Sequence, residues 1–192
     1  MQLKEVKKMI LAKQKKELPK HLSYHSIDHI KDVYNSSKQI GKAENISSED
    51  MTLLLTAALF HDSGFIKSSK EHEELSCKIA RQYLPQYNYT PIQIDKICGL
   101  IMATKLPQTP LNLLEEIICD ADLDYLGRDD FFTIGDRLFT ELSMYGIINN
   151  ENDWNKLQIS FLEKHHYFTK TAILLRQSKK DEHLHLLKQK IQ

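Results

Sequence analysis

Apolar positions along this chain recur at three- and four-residue spacing almost throughout, and no segment alternates apolar and polar residues for long enough to suggest a strand. The pattern predicts an all-α protein. Leu3, Val6 and Ile10 form the stripe of a first helix over about residues 2–16, with its lysines outward and Pro19 beyond its end. Ser26 is placed to cap a helix carrying His29, Ile30, Val33 and Tyr34, which Gly41 is expected to end. Ser47 or Ser48 caps a third, with Met51, Leu54, Leu55, Ala58 and Leu59 inside. Further helices are expected from about Glu71 to Leu84, stopped by Pro85, and from Thr90-Pro91, a cap followed by a first-turn proline, with Ile94, Ile97 and Ile101 inward. One from about Asn112 buries Leu113, Leu114, Ile117 and Ile118. The last three run from near Asp129 to Tyr145-Gly146, around Trp154, Leu157, Phe161 and Leu162, and from about Thr169 with Ala172, Leu175, Leu184 and Leu187 inward.

A chain of 192 residues with 41% hydrophobic content suits one domain with a sizeable core. Its 26 basic residues balance 26 acidic ones, so no net field argues for a nucleic acid polymer or an anionic membrane, although phosphate can still be bound locally. The longest apolar stretch, Met51 to Phe60, is too short to span a bilayer, and the N-terminus lacks the features of a signal peptide; a cytoplasmic protein is expected. Cys77, Cys98 and Cys119 are odd in number and widely spaced, which predicts reduced, buried thiols.

Three separated segments change this picture from a helical domain to one with chemistry. The first is Tyr24-His25-Ser26-Ile27-Asp28-His29; the second is His61-Asp62-Ser63-Gly64, closing the apolar run Leu53 to Phe60; the third is Asp120-Ala121-Asp122-Leu123-Asp124. A divalent cation that activates water needs such a mixture of imidazoles and carboxylates. Adjacent helical residues diverge by about 100°, so His61 and Asp62 can serve one ion only near a helix end, which Gly64 is expected to supply. Taken alone, His61-Asp62 could equally be a C-terminal histidine favoured by the helix dipole beside a turn aspartate. Asp122, however, directly follows an apolar helix, where an unpaired carboxylate is costly and a cation would remove the cost.

In this order the residues resemble the HD superfamily of metal-dependent phosphohydrolases, whose pattern is a histidine, a His-Asp pair and a distal aspartate. The resemblance spans most of the chain. It implies a single helical HD domain over residues 1–192, with a motif-bearing core of about 22–130, C-terminal helices of about 130–192, and the metal between core helices. His29, with Val33 four residues on, matches the first ligand, and His61 and Asp62 match the pair. Asp122 is the first choice for the distal ligand, with Asp120 the alternative. The segments around His72 to Leu84, Ile101 to Thr104 and Leu126 to Phe131 look like those of small stand-alone bacterial members.

The resemblance implies hydrolysis of a phosphoester by metal-activated water, on a small phosphorylated, nucleotide-like substrate. One or two ions of Mn, Fe, Co, Ni or Zn would suit the ligands. Asp62, His25 or His72 would move the protons, and His72 is also a candidate ligand. Lys67, Lys105 and Arg128 are candidate phosphate partners, each shortly after a motif segment. His165-His166 and His183-Leu184-His185 lack matching carboxylates and are assigned to packing or surface. The Gly-Tyr-Pro extension of cyclic-dinucleotide hydrolases and the Glu-Asp of alarmone hydrolases are absent. Two other readings stay open: a metal-dependent nucleotide-sensing or interaction module without turnover, and a di-iron oxygenase on the same scaffold.

Overall fold

A computed structural model describes residues 1–191, and among them there is helix but no strand. The long helices are α1 (Leu3–Glu17), α2 (Ile27–Ala43), α3 (Ser48–Phe60), α4 (His72–Tyr83), α5 (Pro91–Ala103), α6 (Leu113–Asp122), α7 (Phe131–Met144), α8 (Glu151–Lys164) and α9 (Lys170–Lys190). Short 3-10 turns at Ser63–Ile66, Leu84–Tyr87 and Asp124–Gly127 join several of them. None of the helices described is long and apolar enough to cross a membrane.

Helix α3 is buried on every side from Leu53 to Phe60, because a segment apolar all round must be surrounded. Helices α1, α2 and α5 surround it, α6 lies on α2, and α4 on α5. Each fully buried leucine there withdraws enough surface from water to contribute about 1.5–3 kcal/mol. A second apolar cluster, including Leu126, Phe131, Leu162 and Leu187, sits under α7, α8 and α9. Three helix starts follow the sequence: Ser47 accepts from the Asp50 amide, Thr90 and Gln93 form a reciprocal capping box ahead of Pro91, and Asn112 accepts from Leu114 and Glu115. All three cysteines are free and buried.

Several expectations need correction. Gly41 does not end α2, which continues to Ala43 with Gly41 buried inside it; a Cβ there would meet Ile46, Met51 and Leu54. The stop is Asn45, in the left-handed region at φ 56°, with the Asn45 and Ile46 amides reaching back to the Lys42 and Gly41 carbonyls. Leu113 and Leu157 are each 41% exposed rather than buried. On α9, Ala172 and Leu187 face inward and Leu184 is partly buried, but Leu175 is 45% exposed. The inward stripe instead includes Arg176, Lys180 and His183, each with a partner: Arg176 bonds Asp124, Lys180 donates to the His165 carbonyl, and His183 Nδ1 to the Leu126 carbonyl.

Gly64 acts through space, not through an unusual φ. It lies in the Ser63–Ile66 turn, its amide donates to Ser76 Oγ, and Ser76 in turn donates to the His61 carbonyl. A Cβ on Gly64 would stand 2.0 Å from the His72 carbonyl oxygen. Gly64→Ala is therefore expected to force α4 away from the turn and lower stability by about 2–3 kcal/mol, read as a fall in the urea midpoint. A midpoint equal to wild type would show that this contact is not tight.

Candidate metal centre

Three helix ends bring the motif residues together. His29 stands in the first turn of α2, His61 is the C-terminal cap of α3, Asp62 begins the turn that follows, and Asp122 is the last residue of α6. Because the chain leaves the helix after His61, neighbouring side chains at 61 and 62 reach one point.

Asp62 Oδ2 lies 3.3 Å from His29 Nε2 and 3.1 Å from His61 Nε2; Asp122 Oδ1 lies 3.2 and 3.4 Å from the same two nitrogens, which are 3.3 Å apart. Ligand atoms about 2.0–2.1 Å from a common tetrahedral ion stand about 3.3 Å apart, and neighbouring ones in an octahedron about 3 Å. The spacing therefore fits a divalent cation. Asp62 Oδ2 is buried and has no hydrogen-bond partner, a state that costs free energy unless a cation supplies the missing interaction. The Ala58 carbonyl engages His61 Nδ1, which turns Nε2 to the cluster.

The electrostatics agree. Burial opposes protonation of His29, yet Asp122 and Asp62 overcome it and raise its pKa to about 9. His61 is likewise raised well above its ordinary value, against burial, by the same two carboxylates. Burial also disfavours ionisation of Asp122, but the adjoining His29 and His61 bring it to about 2; Asp62 is held well below the usual carboxylate range by the charge of His61 and by the adjoining His29.

The three aspartates of the third segment point in three directions. Asp120 is about 200° around α6 from Asp122. Fully buried, it accepts from the Phe168 amide and from the Thr169 amide and hydroxyl, tying α6 to the start of α9. It is not at the cluster. Asp124, also buried, holds Arg128, Arg176 and Ser36.

A cavity of about 520 Å³ opens beside the cluster, with His25, His29, Asp62, His72, Glu73 and Asp122 among its walls. His25 Nδ1 is bonded to Glu141 Oε1, and Phe65 stacks on its ring at 4.0 Å between centroids. His72 Nε2 lies 3.6 Å from Asp62 Oδ1 and 3.4 Å from Glu73 Oε1, so the two oxygens of Asp62 face two histidine groups. Among the phosphate candidates, only Lys105 lines the cavity, and its ammonium is paired with Glu74 at 2.6 Å. Lys67 is exposed away from the cavity walls. Arg128 is engaged by both oxygens of Asp32 and by Asp124 and Asp130, so it braces α2 against the Asp124–Gly127 turn instead of facing a ligand.

Glu141 was not legible as a site residue. It is 1% exposed on α7 and accepts from the Tyr24 and His25 amides as well as from His25 Nδ1. Burial works against its charge, and these bonds hold its pKa below the usual value. The available signal was a carboxylate at apolar-stripe spacing from Ile134 and Leu138.

Residues 26–124, just over half of the chain, match the HD domain family. The chain belongs to the HD domain family. The crystal structure of Bacillus subtilis YpgQ in complex with ADP is similar to this HD protein over 98% of this chain and 95% of that one, with a TM-score of 0.68 and 17% identity. At that identity the likeness is one of fold. No curated protein matches it in sequence. His25 and Glu141 both lie outside the HD-matched segment, as do α7, α8 and α9.

Two outcomes follow for the HD cluster. Asp122→Ala is expected to abolish stoichiometric metal uptake, whereas Asp120→Ala keeps the metal and costs about 3 kcal/mol by stranding the α9 donors; metal analysis separates them, and metal loss in both variants would contradict the assignment. Without metal the raised His29 holds its proton at pH 7, and His61 is raised as well, so metal binding should release protons and affinity should rise with pH until about pH 9. Calorimetry in buffers of different ionisation enthalpy measures this. In the metal-free protein, the raised His29 contributes stability that is full below about pH 6.5 and lost as pH rises through about 9. The depressed Asp122 contributes stability that is full above about pH 4 and lost as pH falls through about 2.

Proposed function

We propose that this protein is a metal-dependent phosphohydrolase that cleaves a phosphoester of a small phosphorylated metabolite, nucleotides included. The observation that carries this reading is the pair of imidazole nitrogens 3.3 Å apart, with one oxygen of Asp62 and one of Asp122 each 3.1–3.4 Å from both, on the wall of a cavity large enough for a metabolite. Its HD membership, and the ADP in the fold-related YpgQ structure, support the phosphate chemistry and the nucleotide-like class. In this reading residues 22–130 carry the chemistry and residues 130–192 complete the cavity within one domain.

His29, His61, Asp62 and Asp122 would hold the ion. A divalent cation there supplies an activated water and neutralises charge gathering on the phosphoryl oxygens. His25 is placed to protonate the leaving oxygen: Glu141 occupies Nδ1, which leaves Nε2 for the proton. Glu141 is thus a positioning residue. Asp62 Oδ1 and His72 could take the proton of the attacking water or, with Glu73, hold a second ion. Burial of His29, Asp62 and Tyr24 keeps bulk water from screening these charges.

The test is phosphate release from nucleotides, sugar phosphates and simple esters by metal-stripped protein reloaded with Mn, Fe, Co, Ni or Zn. Asp62→Ala is expected to lose metal and all release while the helical signal stays. Glu141→Gln should keep the metal and lower kcat about ten- to a hundredfold, with a shift in the high-pH limb of the rate profile, where a general acid loses its proton. Metal-dependent nucleotide binding without release would favour a sensor, and oxygen uptake by the iron form would favour an oxygenase.

A further inference from the structure

The cavity has two chemically different ends. Beyond the metal cluster its walls are Leu138, Leu142, Trp154, Leu157, Phe161 and Leu162, from α7 and α8, continuous with Leu123 and Leu126 below. The one polar side chain among the lining residues of these two helices is Gln158, whose amide nitrogen is directed to Asn155 at 3.5 Å. A purine or pyrimidine edge carries several donors and acceptors that need partners once withdrawn from water, and a lone amide leaves most of them unpaired. An alkyl or aryl group leaves none.

The charged end limits the ligand as well. Lys105 is the only lysine or arginine among the described lining residues, already paired with Glu74, while Glu71 and Glu73 add negative charge. Beyond the metal cluster and the histidines His25 and His72 beside it, no lining side chain offers an unpaired fixed positive charge to a second or third phosphate. The cavity thus combines one strong phosphoryl position with an apolar chamber, and the chamber comes from helices outside the HD-matched residues 26–124.

We propose that the chamber between α7 and α8 binds the apolar organic group of a single-phosphate ester, so that the preferred substrate class is an alkyl or aryl monophosphate. The phosphate end of this proposal rests on the phosphohydrolase reading; the chamber rests on its own lining. Trp154, the only tryptophan of the chain, is part of the wall and reports occupancy directly.

The zinc-loaded full chain is titrated with methylphosphonate, hexylphosphonate and AMP, following Trp154 emission. Each methylene withdrawn from water is worth about a fourfold gain in affinity, so hexylphosphonate should bind at least about tenfold tighter than methylphosphonate, and tighter than AMP. Leu157→Asp, at a position 41% exposed and so tolerant of change, should bring the two phosphonates within about threefold while leaving metal content and methylphosphonate affinity unchanged. Leu142→Ser gives the same readout from the other helix. Equal affinities for the two phosphonates, tighter binding of AMP, or a preference untouched by both variants overturns the proposal. Phosphate release from hexyl phosphate and AMP is followed in parallel. A hexyl preference without release from any ester removes the phosphohydrolase reading and leaves the chamber, and release from both with equal phosphonate affinities does the reverse.

Discussion

Two imidazoles with an oxygen of Asp62 and one of Asp122 each within 3.4 Å of both, largely buried where α2, α3 and α6 meet, are the constraint on which this structure depends. Ionised carboxylates are stable at such a place only if compensating charge is present. In the metal-free protein the imidazoles and carboxylates favour each other's charged forms, so His29 and His61 are raised and Asp62 and Asp122 depressed together. A divalent cation carries the same charge as two protons, so exchanging two imidazole protons for it would leave the buried cluster's net charge unchanged.

The rest of the fold keeps the three helix ends in register. Ser76 pins the turn after His61, and the close approach of the His72 carbonyl to Gly64 brings α4, with His72 and Glu73, to the cavity. Asp120 anchors α6 to α9, while Arg128 and Arg176 converge on Asp124. Charged groups are used here at internal joints and not only on the surface. Each is paired, as burial demands.

The helices after residue 124 add function as well as cover. Through Glu141, α7 orients His25, and through its leucines it joins α8 in forming the apolar chamber. The family-matched segment therefore carries the side chains proposed to hold the ion, and the C-terminal helices carry the contact that orients His25 and the proposed selectivity.

The sequence by itself determined the all-α class, most helix starts and the residues proposed to hold the metal, because each is encoded locally. Thr90-Pro91 caps and begins a helix through its own atoms, the run from Leu53 to Phe60 must be surrounded, and a histidine, a His-Asp pair and a distal aspartate have few uses besides a cation. Tertiary structure alone decided what long-range partners decide. Spacing does not tell Asp120 from Asp122; Thr169, 49 residues from Asp120, does. Arg128 resembled a phosphate ligand until Asp32 on α2 claimed it, and Glu141 carried no signal of a role until the loop before α2 folded onto it. On α9 the inward face was misread because Arg176, Lys180 and His183 are polar, and burial of a polar side chain depends on a partner that hydrophobic periodicity cannot register.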